Sequence, residues 1–120
     1  FLGDTKGDRL ISNMSPLVIK TDDGITTIGS PGADRISSAI AQVLINYSMN
    51  NDWKQAIDAP RFHVNGDGTV RAEPGSLEID KNITITEEYD MYFGGVCVSG
   101  LNNGVFSHGD KRRGDTSWKN

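Results

Sequence analysis

Cysteine is almost missing: the 120-residue chain has one, Cys97. No intrachain disulfide can form, which removes the small disulfide-stapled secreted class. Basic residues are also short, 12 Lys and Arg against 16 Asp and Glu, for a net charge of -4. That balance disfavours any partner held mainly by phosphate charge, so nucleic acid is not expected. Long hydrophobic runs are lacking as well. Stretches such as Leu17-Val18-Ile19 fall far below the ~18 residues that cross a bilayer, so no membrane span is expected. His63 and His108 lie far apart, and Cys97 has no Cys or His at ligand spacing, so neither metal nor cofactor is expected. Asn65, Asp67 and Thr69 open like a calcium loop, but Val70 takes the place of its glycine and Ser76 that of its closing glutamate. No Gly-x-Ser-x-Gly elbow surrounds any serine, which argues against an α/β-hydrolase triad.

What remains is globular. Hydrophobic residues make up 36% and 14 glycines add to them, bringing the apolar share near the average of roughly 45–50%. A chain this long forms one domain, residues 1–120, with an ordinary core. Its opening, Phe1-Leu2-Gly3-Asp4, has neither an initiator Met nor a signal-peptide pattern, and the expectation is a fragment.

Leu17–Ile19 and Ile25–Ile28 flank Asp22-Asp23-Gly24 and predict a hairpin, with Asp-Gly supplying positive φ. After Gly29-Ser30-Pro31-Gly32, the set Ile36, Ala39, Ile40, Val43, Leu44, Tyr47 repeats at helical spacing. Ser30 as N-cap and Pro31 as first helical residue predict a helix starting at Pro31, with Asp34 complementing its dipole. Asp52 and Gln55 announce a second, shorter helix carrying Trp53, Ala56 and Ile57 on one face, which Pro60 stops. Residues 61–65 and 69–73 suit another hairpin about Gly66-Asp67-Gly68. Strands are expected over 83–86, 92–98 and 105–107, with a polar loop from His108 to the end. Strands, a helical pair, then more strands predict a layered α+β fold. His63 is expected in a strand, partly buried and bonded to backbone, and Lys111-Arg112-Arg113 as a solvated face.

Two constellations could carry chemistry. The turn Gly29-Ser30-Pro31-Gly32-Ala33 exposes backbone N–H groups at the positive end of a helix. The amides of Gly32 and Ala33 could form an oxyanion hole, although alone such a turn is more often just a capped helix start. Ser12-Asn13-Met14-Ser15-Pro16 offers hydroxyl and amide groups to a carboxylate, and would serve a plain turn equally well.

Taken together, Ile11-Ser12-Asn13-Met14-Ser15-Pro16, Gly29-Ser30-Pro31-Gly32-Ala33-Asp34-Arg35-Ile36 and Ala56-Ile57-Asp58-Ala59-Pro60-Arg61-Phe62-His63 resemble the γ-glutamyltranspeptidase family in content, order and spacing. Phe93-Gly94-Gly95-Val96 and Asp110-Lys111-Arg112-Arg113-Gly114 also resemble that family's closing strands. The resemblance covers nearly the whole chain and corresponds to the C-terminal part of the family's small, catalytic subunit.

The resemblance implies a partial αββα sandwich of the N-terminal nucleophile hydrolase type, an antiparallel sheet with a packed helical pair. It implies γ-glutamyl transfer or hydrolysis on glutathione-like amides through an acyl-enzyme. Ser12 and Asn13 would hold the substrate's α-carboxylate, and Gly32 and Ala33 would supply the oxyanion-hole amides. The family's threonine nucleophile lies upstream of the serine motif, so this chain carries no nucleophile and is expected to be inactive alone. Its implied partners are a γ-glutamyl substrate and the rest of the precursor, namely the large subunit and the N-terminal part of the small one. Two departures stand out: Asn13 replaces the second serine of a common pair, and Ala33 replaces the second glycine of the turn. Related readings are an acylase or a poly-γ-glutamate depolymerase of the same architecture, and a non-catalytic binding or structural domain. Unpaired sheet edges predict self-association of the isolated piece. The resemblance leans towards a periplasmic or extracellular place, with the cytoplasm open.

Overall fold

The computed structural model describes residues 13–76, 83–86, 88–114 and 117–119, with only the backbone described at 118 and 119. Strands β1 (Leu17–Thr21) and β2 (Gly24–Gly29) form the predicted hairpin, with Thr21 paired to Gly24 across Asp22-Asp23. Gly24 is therefore not the turn residue expected of it. It opens β2, where an added Cβ would come within 1.9 Å of the Leu101 carbonyl oxygen, so close strand approach explains the glycine.

The longer helix α1 (Ile36–Asn50) buries Ile36, Ala39, Ile40 and Val43, the stripe its spacing predicts. Its start differs from the expected one. Gly32, at φ 131°, and Ala33, at φ 51°, lie outside the right-handed helical region, so the chain enters through a 3-10 turn at Ala33–Arg35. Ser30 does not cap it. Its hydroxyl donates to the Pro31 carbonyl at 2.9 Å and accepts the Gly95 N–H at 3.3 Å.

Helix α2 (Trp53–Asp58) begins as predicted, with the Asp52 carboxylate accepting the Gln55 N–H at 2.9 Å. Trp53 stacks on Tyr47 of α1 at a ring separation of 3.6 Å. Beyond Pro60, β3 (Phe62–Val64) and β4 (Val70–Ala72) form the second predicted hairpin, and β5 (Ile83–Ile85) joins β4 in parallel. The strand expected from residue 92 begins only at Cys97. Residues Met91–Phe93 make a 3-10 turn capped by Asp90, and Gly94 at φ 82° ends it.

Strands β6 (Cys97–Asn102) and β7 (Val105–His108) turn at Asn103-Gly104, both at positive φ. The tail is not a plain loop: Lys111–Arg113 form a 3-10 turn and β8 (Ser117–Lys119) pairs with β7. The result is a five-stranded antiparallel sheet, in the order β1-β2-β6-β7-β8, and a separate three-stranded sheet, β3-β4-β5. The fold is thus α+β.

Both helices cover one face of the larger sheet. Ile28, Val98 and Phe106 meet Ile36, Ile40, Val43, Ala56 and Ile57 there in a single core. The opposite face leaves Val18, Ile25, Leu101 and Val105 exposed. Among the described residues, no helix is long and apolar enough to cross a membrane.

Candidate active site

The turn before α1 is held from behind. A Cβ on Gly32 would sit 3.3 Å from Gly94 Cα, and one on Gly94 would meet Ser30 Oγ at 2.9 Å. These two glycines let the segments 29–33 and 93–95 touch through backbone alone. Ala33 is exposed and Gly32 half-buried. Among the described residues, no acceptor takes the N–H of either one. The chain can therefore offer two neighbouring donors at its surface to a developing negative oxygen.

Asn13 comes to this turn. Its side-chain amide donates to Asp34 Oδ1 at 2.8 Å, one residue beyond Ala33. One of its N–H groups is thereby engaged, and among the described residues no acceptor takes the other. Ser12, the other residue expected to bind carboxylate, lies outside the described residues.

Arg35 ends the 3-10 turn. Its Nε donates to the Tyr92 carbonyl at 3.2 Å, and its guanidinium lies 4.7 Å from the Tyr92 ring centroid. Arg71 of β4 reaches the same ring at 4.2 Å. The Tyr92 hydroxyl donates to Asn65 Oδ1 at 2.6 Å, which fixes the ring. His63 is half-buried, as expected, but its Nδ1 pairs with the Ser38 hydroxyl at 3.0 Å rather than with backbone. Desolvation, then the charge of Arg35, hold the His63 pKa below its ordinary value, against a smaller opposing pull from Asp34.

Beneath the site lies an ionic cluster that the sequence reading missed. Arg112, expected in a solvated run, is buried instead. Its guanidinium donates to both carboxylate oxygens of Glu73, to Asp110 Oδ1 at 3.1 Å and to the Ile57 and Ala59 carbonyls. Arg61, 1% exposed, pairs with Asp110 Oδ2 at 2.7 Å and donates to the carbonyls of Phe93 and Ile57. Asp110 also accepts the Val96 N–H at 2.9 Å.

Two arginines and two carboxylates cancel in charge, which is the condition for enclosing them. Burial works against the charged form of Asp110, yet Arg61, the Arg112 N–H and the Arg112 charge keep its pKa below the ordinary value. For Arg112, hydrogen bonding to Glu73 and the charge of Asp110 overcome desolvation and raise its pKa. In Arg61 desolvation dominates, followed by repulsion from Arg112, and its pKa is lowered. Through Phe93 and Val96, the cluster holds both ends of the segment on which Gly32 rests. The sequence carries no local signal for the cluster, since Glu73 stands 39 positions before Arg112. Among the described residues, no group of three or more His, Cys, Asp or Glu could hold a metal ion.

The sequence profile described as Gamma-glutamyltranspeptidase matches residues 5–98. A glutathione hydrolase proenzyme of Pseudomonas sp. (strain A14) is 44% identical over 62 residues, covering 48% of this chain and 10% of the relative. The human glutathione hydrolase 5 proenzyme is 36% identical over 81 residues, covering 64% of this chain and 14% of its own. The chain thus spans a small part of the curated relatives it matches. The crystal structure of the Bacillus anthracis transpeptidase enzyme CapD superimposes with a TM-score of 0.79 at 25% identity, covering 99% of this chain and 77% of that one. With a profile match over most of its length and this shared fold, the chain belongs to the gamma-glutamyltranspeptidase family.

Proposed function

We propose that this chain is part of a γ-glutamyltransferase or hydrolase acting on glutathione-like amides, and that it supplies carboxylate-binding and oxyanion groups to a nucleophile outside it. The supporting observation is the surface turn at Gly32 and Ala33, whose N–H groups have no described acceptor, with Asn13 tied beside it through Asp34. In the reaction, a threonine hydroxyl attacks the γ-amide carbonyl while an amine takes its proton. The carbonyl oxygen becomes an oxyanion facing the two N–H groups. Collapse breaks the C–N bond, the proton passes to the departing amine, and an ester remains. Water or the amine of an amino acid then attacks that ester, the acyl C–O bond breaks, and the attacker's proton returns through the amine to the threonine oxygen, giving glutamate or a new γ-glutamyl amide and the free hydroxyl. Ser12 and Asn13 would grip the α-carboxylate and so fix which carbonyl reaches the turn.

The open face of the larger sheet, with Val18, Ile25, Leu101 and Val105 exposed, suits a second β layer from the rest of the precursor. This would complete the αββα sandwich. Without that layer, the isolated chain would be inactive and would self-associate through its bare face and edges. A strictly monomeric sedimentation profile at high concentration would contradict that expectation.

A full-length, self-cleaved protein carrying this chain should release nitroaniline from γ-glutamyl-4-nitroanilide, and Ser12→Ala should raise KM. Lack of turnover after correct self-cleavage would refute the assignment. Competition by glutathione separates γ-glutamyl chemistry from that of a related acylase.

A further inference from the structure

We propose that Arg71, together with Arg35, forms a carboxylate-binding subsite around the Tyr92 ring, which takes the distal carboxylate of the leaving group or acyl acceptor. This rests on the γ-glutamyl transfer reading above.

Two guanidiniums held within 4.7 and 4.2 Å of one ring centroid repel each other. The ring face offsets part of that cost and positions each guanidinium plane. Among the described residues, neither arginine has a carboxylate partner. The neighbouring acids are engaged elsewhere or do not pair. Asp90 accepts the Tyr92 N–H at 2.8 Å, and Asp34 accepts from Asn13. Glu88 and Asp90 line a cleft of about 620 Å³ with Arg71, and among the described residues neither forms an ion pair with it. The arrangement therefore has guanidinium donors and a rigid platform, with no described carboxylate in ion-pair contact with either arginine. A carboxylate satisfies it, because the arginine fork matches two carboxylate oxygens.

The location selects which carboxylate. Arg35 is two residues from Ala33, and Tyr92 two residues before the glycine that backs Gly32. A leaving dipeptide or an acceptor amino acid extends about 3.3–3.6 Å per residue from the reacting amide. Its terminal carboxylate would thus lie within one or two residues' reach of the oxyanion turn, where Arg35 and Arg71 can meet it. The α-carboxylate of the γ-glutamyl group is assigned to Ser12 and Asn13, so the two anionic ends of the substrate have separate receivers.

The test compares two substrates in the full-length, self-cleaved protein: γ-glutamyl-4-nitroanilide, with a neutral leaving group, and its 3-carboxy derivative. In Arg71→Gln, the ratio of kcat/KM for the carboxylated over the neutral substrate should fall about tenfold, through KM. An unchanged ratio overturns the subsite, including the case in which both substrates suffer equally because Arg71 instead pairs a carboxylate of the protein. Turnover of neither substrate by the unsubstituted protein refutes the transferase reading, and a second arm then decides the subsite. The full-length, self-cleaved protein is titrated with N-acetylglycine and with N-acetylglycinamide while the arginine Nε–Hε NMR signals are followed. Saturable shifts of Arg35 and Arg71 with the carboxylate alone support the subsite; equal response to both compounds, or to neither, overturns it.

Discussion

Four arginines near this site fall into two pairs with opposite surroundings. Arg61 and Arg112 are enclosed with Glu73 and Asp110, and their guanidiniums donate to carboxylates and carbonyls, with Arg61 Nε left without a partner among the described residues. Arg35 and Arg71 are half-buried around an aromatic ring and have no described carboxylate. The same side chain acts as an internal strut where its counter-ion is built in, and is available to a ligand where it is not. Burial and partner identity separate the two roles; residue type does not.

The sharpest break of that comparison is thermodynamic. Arg112→Met leaves Glu73 without its main partner in the interior and should cost about 3–5 kcal/mol. Arg71→Gln should cost no more than about 1 kcal/mol, the scale of one solvent-reached cation–π contact. Urea unfolding measures both, and equal costs would erase the distinction.

A second test uses acid. The Asp110 pKa is lower in the folded chain than its ordinary 3.8, so the unfolded chain takes up the proton first as pH falls. The stabilisation from Asp110 is complete above about 3.8 and disappears as pH drops through the lower folded value. An Asp110→Asn variant should therefore show a flatter loss of stability with acid in that range. The two profiles running parallel would mean that the buried carboxylate does not titrate as described. The smallest effect is expected away from both pairs: Asp52→Ala should cost about 1 kcal/mol, through one lost cap on α2. No measurable change would place the stability of α2 wholly in packing.

Much of this architecture was legible because it depends on local chemistry. The β1–β2 hairpin, the α1 stripe from Ile36 to Val43 and the Asp52 cap each follow from spacings of a few residues. The start of α1 was misplaced because Gly32 and Ala33 adopt positive φ against a segment more than sixty residues away. Lys111-Arg112-Arg113 read as solvated for a similar reason. What buries Arg112 is Glu73, 39 positions earlier, and composition carries no trace of that pairing. The Gly32–Ala33 turn and Asn13 were visible only as motifs whose order resembled a family. The Tyr92 platform was not visible at all, since Arg35, Arg71 and Tyr92 come from three separate elements.

The claim on which the functional account rests is that the N–H of Ala33 stabilises the oxyanion. Replacing that N–H by an ester oxygen, by semisynthesis of the full-length protein, removes the donor and keeps the side chain. For γ-glutamyl-4-nitroanilide, kcat should fall by about 10²–10³ with little change in KM. A kcat equal to that of the unsubstituted protein would contradict the account.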